Sequence, residues 1–330
     1  VGQRANLILV EGRKYQLFYS HWCANTLPRD LFWGPGHAVA FIRIQRAVDD
    51  SGWLDDVWAE GGALLDLDRK AFLLYGGEDV LYHVPLRRIY LELLAQVWKG
   101  WTVRWAYEGI ADLADRVGYP RDRVLSKGGQ DSTDGTLTPP EQKDWTDLVA
   151  SVRFHDGAVR LYPLAGDVVS YLSSGLRLAH NLRTAAGLPR LFLDEWTTAF
   201  PGGGFHLDLS AQRLEFWVAC DAPDVGSRVA RAWPGWETEW HCDHYEMQLE
   251  RAEGFLRFPL PDRHALLNRC RQMLLWEPTT SPLETIKMLI ERDREQGKKV
   301  QVSPWALRDD RLELSKEERM AILDEAISRL

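Results

Sequence analysis

At 330 residues, 45% apolar and 27% charged, the chain has the length of two ordinary domains or one large pseudo-symmetric one and the balance of a soluble globular protein. Its formal charge of −8 argues against a general nucleic-acid binder, whose phosphate contacts need clustered Lys and Arg. No stretch of about 18 apolar residues is present to span a bilayer. Residues 1–6 lack the apolar run of a signal peptide, and the four scattered cysteines (Cys23, Cys220, Cys242, Cys270) read as reduced thiols; the expectation is a cytoplasmic protein with neither membrane nor nucleic acid among its partners.

The chain opens on a predicted β-hairpin in which residues 7–10 and 15–19 flank Glu11-Gly12, with Gly12 supplying the positive φ of a tight turn. A polar and aromatic loop follows over residues 21–36, ending in Gly34-Pro35-Gly36. Residues 61–67 and 71–75 form a second predicted hairpin. Leu86, Ile89, Tyr90, Leu93, Leu94 and Val97 then fall at helical spacing. That helix runs into Trp98-Lys99-Gly100-Trp101-Thr102-Val103-Arg104-Trp105. Gly100 tolerates the left-handed turn that ends a helix, and the following strand puts Trp101, Val103 and Trp105 on one face. A short helix with Ile110, Leu113, Ala114 and Val117 on its apolar stripe ends at Gly118.

Residues 119–148 read as a linker, with Lys127-Gly128-Gly129-Gln130-Asp131-Ser132 and Thr138-Pro139-Pro140 as loop compositions. The same order then returns. Residues 152–154 and 159–162 flank Asp156-Gly157, and residues 203–209 and 213–217 repeat the Gly-Gly hairpin. Val225, Val229 and Ala232 make a thinner helical stripe, and Trp233-Pro234-Gly235-Trp236-Glu237-Thr238-Glu239-Trp240 repeats the tryptophan phrase. A helix from about residue 244 to 253 closes the unit. The rest has no twin: residues 262–276 are helical in pattern, Ser281-Pro282-Leu283-Glu284 and Ser315-Lys316-Glu317-Glu318 are capping boxes, and the helix begun at the first stops near Gly297.

Two copies of W-x-G-W-x-x-x-W point to an internal duplication. The predicted fold is α+β: antiparallel hairpins backed by helices in two pseudo-symmetric units, with a small C-terminal helical subdomain. Its expected boundaries are 1–118, a linker over 119–148, 149–258, and 259–330. Asp66 and Asp208 recur at equivalent places and suit a turn hydrogen bond.

Function is expected where the copies part. The loop over residues 21–36 belongs to the first copy only, and its Trp22, Asn25, Arg29 and Asp30 are candidate binding residues. The second copy alone carries His241-Cys242-Asp243-His244-Tyr245-Glu246. His21 with Cys23 could act as base and thiol nucleophile. His21, Cys23, His241, Cys242 and His244 are ligand types that zinc, the candidate cofactor, prefers. Asp243 and Glu246 alternatively form a capping box. No phosphate-binding loop, nucleophile elbow or dinucleotide fingerprint is present. The leading expectation is an intracellular interaction protein that binds another protein through an aromatic-rich surface, with inhibitor or immunity proteins as the type. The alternatives are a metal- or thiol-dependent hydrolase or transferase using the His/Cys set, and a small-ligand binder at the seam between repeats, lined by Trp101, Trp105, Trp236 and Trp240.

Overall fold

The computed structural model describes residues 3–126, 133–183, 186–277, 282–302, 307, 312 and 314–330. The chain divides into two compact units: Val1–Glu78, Arg88–Ser126 and His264–Leu330 form unit 1, and Asp79–Arg87 with Lys127–Arg263 form unit 2.

In unit 1, β1 (Ala5–Glu11) and β2 (Lys14–Ser20) make the first hairpin, with Gly12 at φ 59°. Helices α1 (Leu27–Asp30) and α2 (Pro35–Ile44) lead to β3 (Arg46–Val48), and β4 (Gly61–Asp66) and β5 (Ala71–Tyr75) make the second hairpin. Then come α3 (Glu78–Leu81), α4 (Val84–Val97, its first turn through Arg87 counting with unit 2), β6 (Thr102–Trp105) and α5 (Ile110–Val117). The six-stranded sheet has the order β3-β2-β1-β4-β5-β6. Each hairpin is antiparallel inside, but β1 lies parallel to β4 and β5 parallel to β6. The sheet is therefore mixed, because parallel neighbours need a crossover, and residues 21–60 and α4 supply the two crossovers.

Unit 2 rebuilds this frame. β7 (Leu148–Arg153) and β8 (Val159–Leu164) form one hairpin, followed by α6 (Val168–Leu172), α7 (Leu176–Asn181) and the two-residue β9 (Leu191–Phe192). β10 (Gly203–Asp208) and β11 (Arg213–Val218) form the other, then α8 (Val225–Ala232), β12 (Glu237–Trp240), α9 (Glu246–Arg251) and β13 (Leu256–Arg257). The five-stranded order β12-β11-β10-β7-β8 repeats β6-β5-β4-β1-β2 of unit 1, with no counterpart of β3 among the described residues, and the register repeats too. Ala5 and Leu148 sit opposite Gly61 and Gly203, Tyr75 and Trp217 opposite Gly62 and Gly204, and Thr102 and Glu237 opposite Ala71 and Arg213. The duplication therefore holds residue by residue.

The chain ends in α10 (Arg263–Leu275), α11 (Pro282–Glu295) and α12 (Lys316–Ile327). Ser315 and Glu318 form the expected capping box, whereas Ser281 and the 127–132 motif lie outside the described residues. Among the described residues no helix is long and apolar enough to cross a membrane.

The tryptophan phrase works alike in both units. Trp98 and Trp233 are buried and donate their Nε1 protons to the carbonyls of Leu31 (3.2 Å) and Leu172 (2.8 Å). Gly100 and Gly235, at φ 79° and 83°, then bring Trp101 and Trp236 edge-on to the first ring at 5.0 and 4.9 Å. A buried indole with a satisfied N–H contributes both its large apolar area and a fixed orientation.

Each strand face has a different lining, as the period of two requires. In unit 2, Ala150, Val152, Phe205, Leu207, Leu214 and Phe216 pack against α6, α7 and α8. The alternate residues face α9.

Candidate functional site

The first-copy loop over residues 21–36 is a core element. Ala24, Leu27, Leu31 and Phe32 are fully buried, and Tyr90 donates its hydroxyl proton to Pro28 O at 3.0 Å. Trp22 lies edge-on to His21 at 4.5 Å, Asn25 Nδ2 reaches Glu78 Oε2 at 3.4 Å, Asp30 accepts from Thr26 Oγ1 at 2.6 Å, and Arg29 donates to Trp276 O at 3.2 Å. Cys23 is buried, and that burial pushes its thiol well above the ordinary range. His21 Nδ1 is taken by the Tyr19 hydroxyl at 2.8 Å. Burial of this kind favours the protonated thiol over the thiolate that nucleophilic chemistry needs.

His21 and Cys23 belong to unit 1, and His241, Cys242 and His244 to unit 2. Cys242 has a left-handed backbone at φ 53°, and His244, two-thirds exposed, donates Nδ1–H to the His241 carbonyl at 2.8 Å. Helix α9 starts after Tyr245, whose side chain makes no cap, and Asp243 Oδ2 is turned inward onto Arg87 Nη2 at 2.6 Å. Trp236 and Trp240 pack on unit 2's own core, and Trp105 is buried within unit 1.

The α9 face of the unit 2 sheet holds the polar residues. Strand register aligns them in rows across β7, β10, β11 and β12: Ser151, His206, Glu215 and Glu239 in one, and Arg153, Asp208, Arg213 and Glu237 in the next. The matching rows of unit 1 are Ile8, Leu64, Leu73 and Arg104, and Val10, Asp66, Ala71 and Thr102. Helix α9 adds to the change. A Cβ on Gly62 would meet Tyr75 and Leu113, whereas one on Gly204 would meet Trp217 Nε1 at 2.8 Å and Gln248 Oε1 at 2.1 Å. Gln248 thus stands where unit 1 has Leu113, and only glycine leaves room for it.

These groups satisfy one another. Ser151 Oγ lies 2.9 Å from His206 Nδ1; Gln248 accepts from Trp217 Nε1 at 2.9 Å and donates to Val149 O and Phe205 O at 2.7 and 3.0 Å. Burial lowers His206 to about 4, helped by Arg153 and Arg251 and opposed by Glu215 and Asp208, so its imidazole is neutral at physiological pH. Glu215 is held in two places by Arg251, Nε to Oε2 at 2.7 Å and Nη2 to Oε1 at 3.0 Å. Burial opposes its ionisation, but the hydrogen bonds and charge of Arg251, with Arg213 and His241 beyond, more than offset that and hold the carboxyl below its usual range.

The row opens to solvent at β12. Among the described residues, His241, Glu215 and Glu239 form the group whose potential metal-ligating atoms all lie within 4.8 Å of one another. His241 is the member of this set that the sequence singled out. Ser151, His206, Glu215, Glu239 and Gln248 escaped it, although laying the copies side by side shows Ile8, Leu64, Leu73 and Leu113 becoming polar.

A second kind of exposed chemistry lies elsewhere. Trp58, Trp145 and Trp276 are each about half exposed. Arg4 lies 4.4 Å from the Trp58 ring centroid and Arg29 lies 5.7 Å from that of Trp276, both within unit 1. Comparison with protein-family models, curated proteins and solved structures found no match to this chain.

Proposed function

We propose that this chain is an interaction protein that binds another protein through aromatic side chains held at its surface. Trp58 carries the reading. Its side chain is 52% exposed, its neighbour Val57 is 62% exposed, and the Arg4 guanidinium lies over its ring. A half-exposed indole offers a partner a large apolar area to bury, and Trp and Arg are the side chains that most often dominate binding energy. The cation–π contact orients the ring before association and so lowers the entropy lost on binding. Trp276 with Arg29 repeats the arrangement. Neither tryptophan belongs to the repeated phrase, so neither is required by the duplicated packing. The net charge of −8 suits a partner with a basic face, and an inhibitor or immunity-type role is the narrower form of the same reading.

The test is cross-linking of the tagged full chain in cells, identification of the captured protein, and titration of the purified pair. Trp58→Ala should weaken binding by about 30-fold or more, the loss expected of an anchor contributing about 2 kcal/mol, and Trp276→Ala should weaken it further. A double variant that binds with wild-type affinity, or the absence of any saturable partner, sinks the reading.

A further inference from the structure

We propose that Glu215, Glu239 and His241 form a binding site for a divalent ion of the zinc class in unit 2. The side chains come from two adjacent strands and the residue after β12. Glu215 and Glu239 are register partners in β11 and β12, and His241 continues the chain with its N–H bonded to Phe216 O. His241 Nε2 lies 3.3 Å from Glu215 Oε1 and 3.7 Å from Glu239 Oε2. Two ligands bonded to a tetrahedral zinc at about 2.0–2.2 Å lie about 3.3–3.6 Å apart, so the His241 spacings are close to those of a coordination shell, and the Glu215–Glu239 pair lies within 4.8 Å.

The hydrogen-bond geometry favours the same conclusion. His241 Nε2 is out of reach of solvent and has no hydrogen-bond partner among the described residues, although two carboxylate oxygens flank it. One potential ligand atom from each of the three side chains lies within 4.8 Å of the other two, close enough to share a cation. The two oxygens that face His241 also accept from guanidiniums, Glu215 Oε1 from Arg251 Nη2 at 3.0 Å and Glu239 Oε2 from Arg213 Nη2 at 2.7 Å. Hydrogen bonds of this kind orient metal-binding carboxylates. Counting Glu237, which Arg213 also approaches, three carboxylates face two guanidiniums, leaving one negative charge to attract a cation.

Glu239 is about half exposed and gives the ion a route in. Three protein ligands leave a fourth position for water or a ligand atom, the pattern of zinc sites that do more than hold a fold. The site is peculiar to the second copy: the equivalent positions in unit 1 are Leu73, Arg104 and Ala106.

The full chain, stripped with EDTA, incubated with zinc sulfate and desalted, should retain close to one equivalent by elemental analysis. His241→Ala and Glu239→Gln should each lower zinc affinity at least tenfold, while His244→Ala should leave it unchanged. Metal-free melting curves of the variants separate loss of the site from loss of the fold. Cobalt(II) in the same protein should give tetrahedral d–d absorption without a thiolate charge-transfer band. Absence of retained zinc, full retention by His241→Ala, or a thiolate band pointing to Cys242 would each overturn the site.

Discussion

Arg87 and Asp243 form a buried ion pair inside unit 2: the Arg87 side chain is fully buried, and its Nε and Nη2 donate to Asp243 Oδ2 at 3.2 and 2.6 Å. Its remaining nitrogen, Nη1, donates to the carbonyls of Ala219 (2.6 Å) and Leu81 (2.9 Å). One side chain thereby ties the end of β11, the turn before α9 and the segment 79–87 together. A guanidinium suits the task because its fixed fork serves a carboxylate and backbone carbonyls at once.

Removing one partner leaves the other charged and buried. Asp243→Ala and Arg87→Met are each expected to lower stability by about 3–5 kcal/mol, read from urea midpoints at constant slope. The double variant Arg87→Met/Asp243→Leu should recover part of that loss, because apolar packing can replace a buried pair whereas a lone charge cannot be accommodated. Single variants as mild as surface substitutions, about 0.5 kcal/mol or less, would show that the pair contributes little.

The Ser151–His206 contact makes a prediction about pH. His206 has its folded value lowered to about 4 from 6.5, chiefly by burial. The unfolded chain therefore binds the proton that the folded chain refuses. Stability from this residue is complete above about pH 6.5, falls as pH drops toward 4, and levels off below; the whole drop is about 3 kcal/mol. His206→Leu, the residue unit 1 has at this position, should flatten the stability curve between pH 6.5 and 4. It should also cost about 1–3 kcal/mol at pH 7, because Ser151 Oγ loses its 2.9 Å partner and keeps only the longer contacts to Phe205 O and Gln248 Nε2. Adding Ser151→Ile should restore part of that. An unchanged pH slope in His206→Leu would refute the assignment.

What the sequence disclosed and what it hid follow from the same geometry. The tryptophan phrase, the Gly turns and the alternation of apolar residues are local patterns, and local patterns survive reading in one dimension. Trp98 and Trp233 could thus be used to align the halves, and the matching strand registers follow from that alignment. The polar row is not local. Ser151, His206, Glu215 and Glu239 lie on four strands, and only the pairing of β7, β10, β11 and β12 brings them together. Arg87 and Asp243 are farther apart still, and no spacing rule links an arginine in a helix's first turn to an aspartate after a strand. The spacing of Asp243 and Glu246 suggests a helix cap but says nothing of the buried guanidinium that Asp243 Oδ2 accepts from.

Cys23 makes a chemical prediction. Its thiol is buried and pushed up by that burial, and Cys270 is fully buried on α10. Iodoacetamide at neutral pH should leave both unmodified in the native protein and label both in denaturant, as mapped by peptide mass spectrometry. Rapid native labelling of Cys23 would reveal an accessible thiolate and revive a thiol-based chemistry for the loop.

Trp98 and Trp233 provide the test of the duplication as an energetic fact. Each buries its ring fully or nearly so, donates Nε1–H to a carbonyl, and meets the second tryptophan of its phrase edge-on. Truncation to Ala empties a large cavity in either unit and should cost about 3–5 kcal/mol at both positions. Trp→Phe keeps much of the apolar contact but leaves the carbonyl of Leu31 or Leu172 without its donor, and should cost less than truncation. Denaturant unfolding of the four single variants checks this. A pair of Ala variants that differ by more than the spread within that range would mean the two phrases share a shape and not a role. Equal losses would mean that selection has kept one packing device working in two places, while the α9 face beside the second was free to turn from leucine and isoleucine to histidine, serine and glutamate.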